Sequence, residues 1–453
     1  MKLDNIHSIY FIGIGGIGMS ALARYFNSRG VQVAGYDRTE TTLTKTLVAE
    51  GIEVRYAASV ATLPTDVDLV VYTPAIPASH EELSWFREQN YPVYKRSQVL
   101  GVISEGMRTV AVAGTHGKTT TSTLTTHLLH ACGIDCNAFL GGVARNFESN
   151  FVAGSTDWVV VEADEFDRSF LTLHPDVATI MSMDADHLDI YGDEESLLQT
   201  GFLAFAQQLK PGGKLLVKAG LEHHYAELDK EVISFGIEQG EIQARNIRVE
   251  NGYFAFDYHG QGQVIDGLLH PHPGRHNVEN ALAAISVALE LGGKAEDIRS
   301  GLMAFRGIGR RFEFHIRQAD LVYIDDYAHH PTELQAAIGA ARELYPGKKV
   351  TGIFQPHLFT RTRDFVEGFA AALDQLDEIF LLDIYPAREE PINGVDSALI
   401  HRHMKNENCH LLGKTEVLDA LAKTEIEVLL SLGAGDIDTL VNPIKEQLLA
   451  TGH

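Results

Sequence analysis

Residues 109–121 read Thr109-Val110-Ala111-Val112-Ala113-Gly114-Thr115-His116-Gly117-Lys118-Thr119-Thr120-Thr121. A short apolar run, Thr109–Ala113, meets a glycine loop that closes on Gly-Lys-Thr, and the chain continues as a helix from about Lys118 to Cys132. In such a strand–loop–helix, backbone N–H groups wrap phosphates, a lysine neutralises their charge, and the next hydroxyl can ligate Mg²⁺. Gly114, Thr115, His116, Gly117, Lys118, Thr119 and Thr120 are therefore candidate nucleotide contacts. The loop departs from the spacing G-x-x-x-x-G-K-[ST], because Val112 stands where the first glycine is expected. Gly413-Lys414-Thr415 repeats the triplet without a glycine loop before it, so the setting carries the reading and the triplet alone does not.

A second glycine loop lies upstream. Gly13-Ile14-Gly15-Gly16-Ile17-Gly18 follows the apolar strand Ile9–Ile12 and precedes a helical run, Met19–Phe26. Asp37 stands 19 residues beyond Gly18, after a second strand, Val31–Gly35. Glycines let the backbone approach a pyrophosphate, a helix N-terminus supplies N–H donors, and a carboxylate there can accept a ribose hydroxyl. Gly13, Gly15, Gly16, Ile17, Gly18 and Asp37 are thus candidate substrate contacts. The loop reads the shape of a diphosphate and not the base. A dinucleotide and a UDP-sugar both fit, and a tight turn with no ligand is the plain alternative. Two phosphate loops narrow the choice, because a dehydrogenase or a simple NTPase needs one. An enzyme coupling ATP cleavage to chemistry on a nucleotide-linked substrate needs both.

The 453 residues are 45% hydrophobic and 22% charged. That is an ordinary globular composition, and at roughly 150 residues per domain it suggests about three domains. A net charge of −24 repels nucleic acid and anionic lipid, which argues against either as a partner. Anionic substrates then require locally placed cations. Three cysteines cannot staple a chain of this length, and Cys132 and Cys136 are expected to be small buried hydrophobes. Met1–Ile9 holds no apolar core of signal length and no run of about 18 apolar residues occurs, which predicts a cytoplasmic protein without a membrane span.

Alternating strands and helices predict an α/β chain of three consecutive domains. These are a Rossmann-like N-terminal domain over 1–105, a central P-loop ATPase domain with a parallel sheet over 106–311, and a Rossmann-like C-terminal domain over 312–453. In the centre, strands Trp158–Glu162 and Val177–Met181 precede a helix from about Glu195 to Leu209. A β-rich stretch, Lys214–Leu269, and a helix, His276–Leu291, follow. The C-terminal part reads as strand Leu321–Ile324, helix Pro331–Leu344, strand Lys349–Phe354, helix Phe365–Leu373 and strand Glu378–Asp383. Strand Val428–Leu432 then runs into Gly433-Ala434-Gly435-Asp436.

Further segments occur in a telling order. They are Glu162-Ala163-Asp164-Glu165, Asp184-Ala185-Asp186-His187-Leu188-Asp189, Gly274-Arg275-His276-Asn277-Val278-Glu279-Asn280, Arg310-Arg311-Phe312, Asp325-Asp326-Tyr327-Ala328-His329-His330-Pro331 and Phe354-Gln355-Pro356-His357. With the two glycine loops they resemble the Mur ligase family along essentially the whole chain. The resemblance implies a UDP-binding N-terminal domain, a central ATPase domain and a C-terminal domain that helps bind an amino acid. It implies Thr119 and Glu162 at one Mg²⁺, and His187 with Glu162 at a second. Asn280, with His276 four residues away on the same helix face, is implied beside the adenine. Arg310 or Arg311 is placed at the transferring γ-phosphoryl, and Asp326 and Tyr327 at the ATP ribose and base. His329 and Arg361 fall on the substrate side, where the planar fork of Arg361 suits a carboxylate. Lys118, His187, Arg310 and His329 are the catalytic candidates. Several relatives carry a carbamylated lysine some way beyond the histidine; Leu188–Leu209 contains no lysine and Phe202 occupies the approximate position. Leu358 stands where relatives often place another basic residue, which leaves a second carboxylate contact open.

The activity implied is ATP-dependent, Mg²⁺-requiring ligation of L-alanine to the carboxylate of UDP-N-acetylmuramate through an acyl phosphate. That is a step in making peptidoglycan precursors. Other readings stay open at this point: a sister ligase adding another amino acid or a peptide, an NAD-dependent Rossmann oxidoreductase, and a nucleotide sensor without catalysis. The sequence leaves monomer and dimer equally open.

Overall fold

The computed structural model describes residues 3, 5–166, 168–184, 194–250, 252–387 and 389–451. Contacts gather the chain into two compact units. One comprises Met1–Arg245, Asp257–Leu268 and Glu279–Arg306; the other comprises Asn246–Phe256, Leu269–Val278 and Gly307–His453.

Three sheets carry the α/β fold. In the first, β1 (Ser8–Ile12), β2 (Gln32–Tyr36), β3 (Glu53–Arg55), β4 (Leu69–Tyr72) and β5 (Val93–Lys95) run parallel in the order β3-β2-β1-β4-β5. Ile9, Tyr10, Phe11 and Ile12 are all buried, as a parallel strand covered on both faces requires. The strand order reverses at β1, so the loop leaving its C-terminal end opens at a topological switch point. Helix α1 (Ile17–Ser28) follows that loop and buries Met19, Leu22 and Phe26 against the sheet.

The second sheet contains β6 (Arg108–Ala113), β7 (Asn137–Ala144), β8 (Ser149–Val152), β9 (Trp158–Glu162), β10 (Val177–Ile180), β11 (Lys214–Lys218), β12 (Glu231–Ile237), β13 (Ile242–Glu250), β14 (Tyr253–Gly260) and β15 (Gln263–His270). Their order is β15-β14-β13-β12-β11-β10-β6-β9-β7-β8, and the strands from β7 through β9, β6 and β10 to β12 are parallel. Strand β6 sits where the chain splits to the two sides, which again makes its C-terminal end a switch point. Helix α2 (Lys118–Ala131) emerges there. It is threonine-rich yet buried, and the Thr126 hydroxyl donates to the Ser122 carbonyl at 2.8 Å. Helix α3 (Arg275–Glu290) buries Val278, Ala281, Leu282, Ile285 and Ala288. Gly292, at φ +94°, follows it in the left-handed region that favours glycine.

The third sheet is β16 (Glu313–Arg317), β17 (Val322–Asp326), β18 (Val350–Phe354), β19 (Glu378–Leu382), β20 (Cys409–Leu412) and β21 (Val428–Leu432), in the order β16-β17-β21-β18-β19-β20. All neighbours are parallel except the antiparallel edge strand β16. Helix α4 (Pro331–Leu344) has proline in its first turn and His330 as a side-chain cap.

Several elements differ from the sequence reading. The helix expected over 195–209 is helical at Glu194–Leu197 and Ala204–Gln207 but widens into a π turn over Leu198–Leu203. Phe202 lies inside that turn, fully buried beside Phe170 at 5.7 Å between ring centroids. The antiparallel pair β7–β8 and the edge strand β16 had no counterpart in the reading. The β-rich stretch after Lys214 extends the central sheet. Cys132, Cys136 and Cys409 are free thiols, and Cys136 and Cys409 are buried. Among the described residues, no helix is long and apolar enough to cross a membrane.

Candidate active site

Strands β9, β6 and β10 lie side by side and point the same way, so their C-terminal loops meet. Register pairs Val112 with Glu162 and Ala113 with Ile180. Val112 is thus a fully buried strand residue, and the loop begins only at Gly114, which accounts for the missing first glycine. Gly114 has φ +132°, and a Cβ there would lie 2.8 Å from the Ser182 amide nitrogen. Gly117 has φ +83°, and a Cβ there would lie 2.7 Å from the Asn280 side-chain oxygen. The loop is pinned to the end of β10. Thr115 N–H donates to the Ser182 carbonyl at 3.2 Å, His116 N–H donates to the Ser182 hydroxyl at 2.8 Å, and Asp184 N–H donates to the Thr115 hydroxyl at 3.0 Å. Thr119 and Thr120 occupy the first turn of α2, half-buried.

Lys118 Nζ lies 2.8 and 3.0 Å from the two Glu165 carboxylate oxygens and 2.7 Å from the Gly114 carbonyl. Glu165 is fully buried. Burial by itself would lower the Lys118 pKa, but the carboxylates of Glu165, Asp164 and Glu162 raise it above the ordinary lysine value, so the side chain stays a cation. Burial pushes the Glu165 carboxyl up to about 7, and the Lys118 ammonium opposes that rise. An ion pair this deep needs both partners.

The first glycine loop borders a cleft of about 270 Å³. Its walls include Gly16 to Met19 at the start of α1, Thr73, Arg96, Gly141, Glu162 and Asp164. No acidic residue occupies the first turn of α1, and Gly16 makes no side-chain cap, so the partial positive end of the helix faces the cleft. Packing explains the glycines: a Cβ on Gly15 would lie 2.7 Å from Asp37 Oδ2, and one on Gly18 would lie 2.9 Å from the Arg96 guanidinium. Gly13 takes φ +87°. Asp37 accepts the Gly15 N–H at 2.8 Å, so its carboxylate braces the loop itself. Glu162, also in the wall of this cleft, accepts the Gly141 N–H at 3.0 Å.

Asn280, on α3, accepts the Thr121 hydroxyl proton at 3.2 Å, which places it beside the second glycine loop. His276 lies in the first turn of α3, half-buried. In the second unit, the guanidinium of Arg310 donates to the Gly433 carbonyl at 2.6 Å and to buried Asp325 at 3.1 Å. Arg311 stands 3.8 Å from Glu333. Both guanidinium groups sit over the Tyr327 ring, at 5.3 and 5.1 Å from its centroid. Asp326 accepts N–H bonds from Phe312 and Ala328, each 2.7 Å long, and burial pushes its carboxyl up to about 6. His329 Nδ1 contacts Glu333 at 3.1 Å. Arg361 is half-buried on a short helix, Phe359–Asp364, that starts from Leu358 at φ +71°. His187 lies outside the described residues, as do Ala185, Asp186, Leu188 and Asp189.

Arg96 and Glu165 are the neighbours that the sequence reading left without a role. Glu165 closes the quoted Glu-Ala-Asp-Glu segment, so its position was visible while its partner was not. Arg96 follows β5 directly and carries no motif around it.

Three family models match the chain. The Mur ligase family catalytic domain matches residues 8–108, the Mur ligase middle domain 112–288, and the Mur ligase glutamate ligase domain 310–437. The chain is 46% identical to a UDP-N-acetylmuramate–L-alanine ligase of Flavobacterium johnsoniae over 453 residues, covering 99% of each chain. It is 49% identical to the protein of the same name from Porphyromonas gingivalis, covering 97% of this chain and 98% of that one. Its fold resembles the crystal structure of a Thermotoga maritima UDP-N-acetylmuramate–alanine ligase, with a TM-score of 0.84 and 28% identity over 98% of this chain and 99% of that one. A murein peptide ligase of Psychrobacter arcticus, at 23% identity and a TM-score of 0.70 over 98% of each chain, shares the fold.

Proposed function

The chain belongs to the Mur ligase family, and on that premise we propose that it joins L-alanine to the carboxylate of UDP-N-acetylmuramate, using ATP, in the cytoplasmic synthesis of peptidoglycan precursors. The observation that carries this reading is the pair of glycine loops in one unit, one opening on a cleft and the other holding a part-buried lysine against a buried glutamate. Near-full-length identity of 46–49% to L-alanine ligases supports the amino acid, and the oxidoreductase and sensor readings are not favoured.

A carboxylate resists amines because its charge and resonance repel a nucleophile. Phosphorylating it makes an acyl phosphate, from which inorganic phosphate can leave. We assign the UDP diphosphate to the N–H groups at the start of α1, with Arg96 as the cation of the cleft. We assign the ATP phosphates to the N–H groups of Gly114–Thr120 and to Lys118. The donors near the loop, the Thr119 hydroxyl and the Glu162 carboxylate, are hard oxygens of the kind Mg²⁺ takes. They would hold one ion, and His187 with Glu162 a second; when bound, the metal neutralises phosphate charge. His276 and Asn280 are assigned to the nucleotide side, as are Arg311, Asp326 and Tyr327. We prefer Arg311 to Arg310 for phosphate because the Arg310 guanidinium already serves Asp325 and Gly433. His329 and Arg361 are assigned to the alanine side, with Arg361 holding the carboxylate so that the amine is presented to the acyl carbon.

The test is phosphate release from ATP and Mg²⁺ with UDP-N-acetylmuramate and each of several amino acids in turn. The proposal expects release that needs both substrates, is fastest with L-alanine, and yields the amide by mass spectrometry. Faster release with another amine would move the specificity within the family.

A further inference from the structure

An ammonium has three protons to give. Those of Lys118 are taken up by the two oxygens of Glu165 and the carbonyl of Gly114, at 2.7 to 3.0 Å, with the Thr115 carbonyl further off at 3.5 Å. A phosphate oxygen gains this lysine only if one of those acceptors gives it up. The two partners differ in freedom. Lysine has a four-carbon flexible stem, whereas Glu165 is fully buried and sits on a turn fixed from both sides. Arg168 N–H donates to the Glu165 carbonyl at 3.0 Å, Phe170 N–H donates to the Asp164 carbonyl at 3.1 Å, and the Phe170 ring is stacked on Phe205 in the core. Of the two, the ammonium is the partner with freedom to move.

We propose that Glu165 is a positioning residue for the phosphate loop: it holds the Lys118 ammonium folded against the loop's own carbonyls, and ATP must win the ammonium from it. This inference rests on the assignment of Lys118 to the ATP phosphates. Its consequence is a deliberate limit on nucleotide affinity. Once the γ-phosphoryl group has left, the ammonium returns to Glu165 and the hold on ADP weakens, which favours turnover over retention.

The experiment is a double-mutant cycle on MgADP affinity, measured by calorimetry for the full chain, Glu165→Gln, Lys118→Ala and the double variant, with thermal melting to establish folding. Glu165→Gln keeps the shape and removes the competing charge. It is expected to bind MgADP on the order of tenfold more tightly, the size of one charge-assisted hydrogen bond. Its KM for ATP should fall while kcat does not rise, and the gain in affinity should vanish in the Lys118→Ala background. A folded Glu165→Gln protein that binds MgADP no more tightly than the parent overturns the proposal, as does a gain of equal size without the lysine. Should Glu165→Gln fail to fold, Glu165→Asp keeps the buried charge but withdraws it from the ammonium; a smaller gain is expected, and none overturns the proposal. If Lys118→Ala leaves both MgADP affinity and ligation intact, the phosphate-loop assignment itself has failed, an outcome separate from the others.

Discussion

The two glycine loops use one backbone device for two different tasks. Each leaves the C-terminal end of a parallel strand at a switch point and enters a helix N-terminus. They part company in their side chains. Gly13–Gly18 is braced by a carboxylate, Asp37, and contains no cation; the nearest one, Arg96, comes from another element. Gly114–Thr121 contains Lys118 and a buried counter-charge, Glu165. On the proposed assignment, the first loop holds a diphosphate through N–H groups and shape. On the same assignment, the second sets a lysine against the phosphates, the charge that phosphoryl transfer requires.

That contrast predicts a graded series of defects. Lys118→Ala removes the loop's cation and should lower kcat for ligation about a thousandfold while sparing UDP-substrate binding. Steady-state phosphate release and a separate binding titration check both halves, and near-normal turnover would erase the distinction between the loops. Glu162→Gln should cost on the order of a hundredfold and raise the Mg²⁺ concentration needed for half-maximal rate; a magnesium titration of the variant reads this directly. Gly15→Ala places a methyl group against Asp37 and Thr44, overpacking that costs about 1–3 kcal/mol. It should raise KM for UDP-N-acetylmuramate roughly tenfold with kcat for ATP chemistry little changed. Asp37→Asn is the mildest: it keeps an acceptor for the Gly15 N–H and should lose about 1 kcal/mol or less of stability, read as a small drop in the denaturation midpoint.

How legible these features were in the sequence follows from what holds them. Strands β1 and β6 were plain because their residues are apolar on both faces, and the helices after them were announced by glycine loops. The π turn at Leu198–Leu203 was hidden because its apolar residues, Phe202 among them, satisfy a helical pattern while the backbone widens. Strand β7 runs through Gly141-Gly142, residues of low strand propensity, and Gly141 is small because the Glu162 carboxylate fills the space where a Cβ would be. At the site, Gly114, Gly117 and Lys118 were readable from spacing. Asn280 was reached only through the family resemblance, and Arg96 on the cleft and Glu165 against Lys118 were given no role, because each contact spans 47 residues or more and the intervening chain gives no sign of its closure. The same holds for Arg310, whose guanidinium donates to the carbonyl of Gly433, far away in sequence.

Passage through an acyl phosphate is read out with UDP-N-acetylmuramate labelled with ¹⁸O in its carboxylate. Incubated with ATP, Mg²⁺ and L-alanine, it should yield inorganic phosphate carrying one labelled oxygen for each amide formed, because the acyl phosphate breaks between carbon and the substrate's own oxygen. Amide formation with unlabelled phosphate would rule out the acyl phosphate, since the carboxylate oxygen would then never have been phosphorylated.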